Sequence, residues 1–181
     1  MGLWESFRRW KACRGYGVHS PLGFRLVKHV IRPSREVIYY GEEKIDCARE
    51  DYYKIKRARV LLRFVAEMQP ATVWTSAKMP QIYIDAIRYA GCVIRIYEGG
   101  IFPEEAGKSD MTVLDGSKLK KNELNRALES GKSLIGFNLK PSFIRSIIDT
   151  VKGGVILEGK RSVIVVSTSD PQLHVYSILP F

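Results

Sequence analysis

The sequence predicts an α/β protein: a twisted, mostly parallel sheet with helices on both faces, closed by an antiparallel C-terminal hairpin strand and preceded by a helical extension. Three observations lead there. Ala71–Gly100 reads as strand, turn, helix, strand. The same alternation of β-rich and helix-period stretches recurs from Met111 to Val166. An amphipathic helix over Asp51–Met68 delivers the chain through Pro70 to the first strand. A strand–helix–strand unit of this kind makes two adjacent parallel strands with a right-handed crossover.

In chain order, Leu3, Phe7 and Trp10 share one helical face with Trp4 beside it, and Arg8, Arg9, Lys11 and Arg14 lie mostly elsewhere around the helix. Two expectations follow. Such a helix packs its aromatic side on the domain, or it lies as a basic amphipathic helix on a membrane or on RNA. Ser20-Pro21 is a helix-start signal, an N-cap with proline at the first helical position. Leu22, Leu26, Val27, Val30 and Ile31 form the stripe of that helix, and Pro33 stops it. His19 is expected to lock the loop locally, with a catalytic role as the alternative. A short helix follows Gly41.

In the Asp51–Met68 helix, Ala58, Leu61, Leu62, Val65 and Met68 make the buried stripe, while Lys54, Lys56, Arg57, Arg59 and Arg63 form much of the solvent side. Ala71–Thr75 is the first strand. Pro80 suits the first turn of the next helix, Tyr83, Ala86, Ile87 and Ala90 recur at helical spacing, and Gly91 ends it. Cys92–Tyr97 is the second strand. The Gly99–Asp110 connection is too punctuated by Gly and Pro for a full crossover helix. Met111–Leu114, Ser133–Phe137 and Val155–Leu157 are further strands. Helices capped by Asn122 and started by Pro141 lie between them, stopped by Gly131 and by Gly153-Gly154. Ser162–Val166 and Leu173–Leu179 flank a Ser169-Asp170-Pro171 turn, which predicts a closing hairpin. The division expected is a helical extension over 1–69 and an α/β domain over 70–181, one structural unit together.

Composition narrows the function classes. Cys13, Cys47 and Cys92 are odd in number and widely spaced, without a C-x-x-C. That argues against a disulfide framework or a zinc site, and a cytoplasmic location is expected. His29 and His174 have no partner at metal-ligand spacing, so no metal is expected. No apolar run reaches the roughly 18 residues of a membrane span. The net charge is +10. Residues 1–70 hold 15 Lys/Arg against 8 Asp/Glu, so most of the excess lies there. This suggests an anionic partner for the N-terminal region. Self-association is compatible with the chain. Phosphate-loop, dinucleotide-fingerprint, nucleophile-elbow and zinc-protease motifs are all missing.

GYGVHSPLGFRLVKHVI, then a tyrosine pair and an acidic pair in YYGEEKID, then an arginine-bearing helix ending at Pro70, carry a resemblance. Together they are similar to the front end of a bacterial methyltransferase-like family, in which a Rossmann-like class I S-adenosylmethionine-dependent domain follows. The segment around His19-Ser20-Pro21 is the most specific part, and the match covers roughly residues 14–100. The resemblance implies S-adenosylmethionine as cofactor, bound at the carboxyl ends of the strands. The strand-end rule places Thr75 and Ser76 at the first turn. The resemblance implies Glu98 for the ribose hydroxyls and Asp115 near the adenine. Asn138 stands at the fourth strand end, where many relatives carry an acid, and completes the expected cofactor-binding residues. The resemblance gives no catalytic base.

The departures from that pattern matter as much. The first strand-to-helix turn, Thr75-Ser76-Ala77-Lys78-Met79-Pro80, has no glycine, and none occurs between Gly41 and Gly91. Glycine lets backbone approach a cofactor and turn at positive φ. The expectation is therefore a degenerate methyltransferase-like pseudo-enzyme with a weakened cofactor site. Its alternatives are an active methyltransferase and a non-enzymatic module binding nucleic acid or an anionic surface.

Overall fold

The computed structural model describes residues 3–12, 15, 17–33, 39–91, 93–99, 109–117, 119–130, 132–169 and 171–178. The expectations for Cys13, Cys92, Gly131, Asp170 and most of the Gly99–Asp110 connection fall outside them.

The strands are β1 (Thr72–Thr75), β2 (Arg95–Glu98), β3 (Met111–Asp115), β4 (Ser133–Phe137), β5 (Gly154–Glu158), β6 (Val163–Val166) and β7 (Leu173–Ser177). They form one seven-stranded sheet in the order β2-β1-β3-β4-β6-β5-β7. Its helices are α1 (Leu3–Ala12), α2 (Pro21–Leu26), α3 (Glu42–Asp46), α4 (Tyr52–Met68), α5 (Gln81–Tyr89), α6 (Lys121–Ser130) and α7 (Pro141–Thr150). This is a Rossmann-like α/β sheet. The chain leaves β1 toward one edge through α5, and later leaves β3 toward the other through α6. Right-handed crossovers in opposite directions must put α5 and α6 on opposite faces.

The core shows this division. Leu26, Val30, Leu61, Val65, Ala86 and Ile87 pack with Val73, Val113 and Ile135 on one face. On the other, Leu124, Ala127, Ile144 and Ile147 pack with Trp74, Leu114 and Leu134. Neighbours along a strand, such as Val73 and Trp74, go to opposite faces because the side-chain period is two.

Local signals explain several element starts. The Ser20 side chain accepts from the Gly23 amide at 3.3 Å, with Pro21 at the first helical position. The helix then widens into a π-helical turn over Val27–Ile31, where the Arg32 amide reaches the Val27 carbonyl. Pro80 caps α5 rather than entering it. No described helix is long and apolar enough to cross a membrane.

Two further expectations change. The antiparallel C-terminal strand is β6, but its hairpin partner is β5, not β7. β6 lies inside the sheet, antiparallel to both β4 and β5, while β7 runs parallel to β5 at the edge. The second change concerns α1. Its aromatic side is only partly covered: Trp4 is 73% exposed, Phe7 44% and Trp10 37%. Ala12 at its end packs on the core.

Asp110 fastens the starts of β1 and β3. Its Oδ2 accepts from the Ala71 and Thr72 amides and the Thr72 hydroxyl at 3.1–3.2 Å. Burial alone would raise its pKa, but the Thr72 hydrogen bonds, Lys132 and the Ala71 amide outweigh it and hold the carboxyl below its ordinary 3.8. A depressed folded pKa contributes stability above the unfolded value, and that stability is lost as pH falls through the folded one. Asp110→Asn is therefore expected to flatten the fall in stability below about pH 4. Urea unfolding at stepped pH measures this; an unchanged acid slope would remove Asp110 from the account.

Candidate functional site

The direction of chain travel reverses between β1 and β3, which makes the carboxyl ends of these strands the crevice of an open α/β sheet. The polar residues there are drawn into one hydrogen-bonded chain. The Ser76 amide donates to the Val113 carbonyl, and its hydroxyl accepts from the Asp115 amide, both at 3.0 Å. Asp115 Oδ1 accepts from the Ser117 amide at 3.0 Å and from Asn138 Nδ2 at 3.1 Å. Asn138 Oδ1 in turn accepts from Arg57 Nη1 at 2.7 Å. Arg57 also lies close enough to Tyr83 to oppose the rise of its phenol pKa.

Each member is placed for a local reason. α4 runs back down the sheet to β1, so its first turns, carrying Arg57, stand over the carboxyl ends. Tyr83 lies on the inner side of α5, its ring 5.3 Å from that of Phe137. Asn138 ends β4 with φ 53°, in the left-handed region that asparagine tolerates. Gly116 is required by close approach: a Cβ there would sit 2.7 Å from the Asn138 carbonyl oxygen and the Leu139 Cα. The phenol pKa of Tyr83 is raised. Burial is the main cause; Arg57 opposes it, while Asp115 and Asp51 add to it.

Of the residues singled out in the sequence, Ser76, Asp115 and Asn138 come together. Thr75 and Glu98 do not join them. Thr75 is fully buried and its hydroxyl reaches the Tyr97 carbonyl at 3.5 Å. Glu98 is its register partner on β2, largely exposed, with Arg88 4.0 Å away. His19 is remote: its amide donates to the Tyr176 hydroxyl on β7, at the far edge of the sheet. Glu158 ends β5 and accepts from the Ser177 hydroxyl.

Tyr83 is core, as its helical spacing predicts, whereas Arg57 is the residue that a solvent-face reading of its helix hides. Arg63 was likewise placed outside. Its side chain is only 12% exposed and makes a two-pronged pair with Glu42 at 2.6 and 2.8 Å. The signal for Arg57 was its spacing, four residues before the buried Leu61.

The turn after β1 reaches its shape without glycine. Lys78 carries φ 61°, a left-handed conformation that glycine adopts without penalty. Among the described residues, Ser76, Asp115 and Asn138 already hydrogen-bond to one another or to Arg57.

Fold and crevice define a doubly wound α/β protein. Comparison with protein-family models finds no match, and comparison with curated proteins finds none. Among solved structures, an O-methyltransferase family protein from Burkholderia thailandensis superposes with a TM-score of 0.39 at 12% identity. The match covers 81% of this chain and 73% of that one.

Proposed function

We propose that this is a methyltransferase-like protein whose S-adenosylmethionine site has degenerated, leaving a pseudo-enzyme. The observation that carries this reading is the Ser76–Asp115–Asn138–Arg57 chain across the crevice. Ser76, Asp115 and Asn138 already hydrogen-bond within the protein, so an adenosyl ligand reaching them competes with charge-assisted bonds. The missing glycines act in the same direction, since ligand-facing amides at a helix start need a backbone that the ligand can approach. The parallel sheet with one antiparallel C-terminal strand, and the sequence resemblance over roughly residues 14–100, support the class. Glu98 keeps a place at the end of β2 suited to ribose hydroxyls.

Calorimetric titration with S-adenosylmethionine and S-adenosylhomocysteine tests the proposal. Weak or undetectable binding is expected. A Kd of about 10 μM or tighter, roughly −7 kcal/mol, would overturn it. Glu98→Ala should then weaken binding strongly, and the active enzyme would become the preferred reading.

A further inference from the structure

We propose that the exposed aromatic and basic face of α1 docks on an anionic lipid surface. Trp4, Phe7 and Trp10 project from one side of the helix, the ring centroids of successive pairs 6.2 and 5.8 Å apart. Trp4 stands largely in water and Phe7 and Trp10 are partly exposed beside it, an aromatic patch that a monomer gains nothing by exposing. The patch continues past the helix. Gly15 follows with φ 84°, and a Cβ there would stand 2.6 Å from the Phe24 ring, so only glycine lets Phe24 lie against it. Phe24 is itself 44% exposed, with Lys28 Nζ 6.0 Å above its ring.

The charge around the patch decides the partner. Residues 1–35 hold eight Lys/Arg and one acid, Glu5. Residues 36–70 hold seven of each, so the basic excess of the N-terminal part belongs wholly to the segment bearing the rings. Arg8 and Lys11 are exposed, and Lys11 Nζ lies 4.8 Å from the Phe7 centroid. Indole and phenyl bodies beside basic side chains suit the headgroup layer, where the rings meet the acyl boundary and the cations meet lipid phosphates.

Single-stranded nucleic acid fits less well. Its bases stack on free ring faces. Here Phe7 and Trp10 are stacked on each other at 15°, and Lys11 covers the Phe7 ring. A bilayer needs only that the rings project.

The test uses the full chain with vesicles of phosphatidylcholine, with and without phosphatidylserine. The chain has three tryptophans, and Trp74 is already buried, so a blue shift in emission reports Trp4 and Trp10. Retention on the anionic vesicles at low salt, with a blue shift and release by added salt, is expected. Arg8→Glu with Lys11→Glu should weaken binding by about tenfold or more, since each basic residue near such a surface contributes about fivefold. Trp4→Ala should weaken retention and reduce the shift. Melting curves of these surface variants should match the parent, and the salt dependence of the parent needs no variant. Failure to bind anionic vesicles overturns the proposal. So does retention without a blue shift, retention indifferent to Trp4→Ala, or capture by a single-stranded oligonucleotide with none by vesicles.

Discussion

Gly154→Ala is expected to lower stability by about 4 kcal/mol, because two penalties coincide there. Gly154 opens β5 with φ 113°, and a Cβ on it would lie 2.1 Å from the Val166 carbonyl oxygen. The clashing atom is backbone, in the strand that pairs with β5 on one side and β4 on the other. It cannot rotate away as a side-chain tip would. Gly91→Ala separates the two penalties. Gly91 also has a left-handed φ, 84°, but nothing lies within 4 Å of its added Cβ. Only the conformational cost remains, about 1 kcal/mol. Thermal melting should show a fall of about 10 °C for Gly154→Ala and only a few degrees for Gly91→Ala. Equal shifts would mean that the close approach of β5 to β6 is not what requires glycine.

Arg57→Ala is expected to cost about 2–3 kcal/mol, the scale of hydrogen bonds to a charged group. It strands the Asn138 oxygen and removes the cation beside the buried Tyr83 phenol. Arg57→Lys should recover only part of the loss, because a single ammonium cannot copy the guanidinium fork. The same change empties space and frees acceptors in the crevice. If the internal chain is what closes the site, S-adenosylhomocysteine should bind Arg57→Ala better than the parent even as stability falls. Stability and affinity moving in opposite directions is the signature, read by urea unfolding and calorimetry on the same protein. Lower stability with unchanged or weaker binding would assign Arg57 a structural role alone.

How much of this was visible in the chain depends on the kind of signal. Strands β1 to β5 and several helix starts announce themselves through period and punctuation, as with Ser20-Pro21 before the sheet and Pro141 within it. The neighbours of β6 were misjudged because a Ser-Asp-Pro turn before β7 looks like a hairpin. Yet Val163–Val166 is buried at every position, whereas β7 is half-buried or exposed along its length. A continuous apolar run belongs inside a sheet, and that reading would have put β6 in the interior. Ser76, Asp115 and Asn138 come together because each lies where a strand ends at the crevice. Glu98 shows the limit of that logic, since an edge strand can turn its last side chain to solvent. Arg57 was hidden by composition: a run of basic residues reads as a wet face, although one of them shares the side of Leu61.

The interior position of β6 bears on how the chain emerges from the ribosome. β4 is complete once Phe137 is made, but its second neighbour is not available until Val163–Val166 follows. Until then the growing polypeptide carries an apolar strand with one row of amide and carbonyl groups open to any passing partner. β5 is no better off, because both of its neighbours, β6 and β7, come later in the chain. The last quarter of the molecule therefore acts as the clasp of the whole sheet. A nascent or truncated product lacking it is the form in which this protein is most open to aggregation and to chaperone capture.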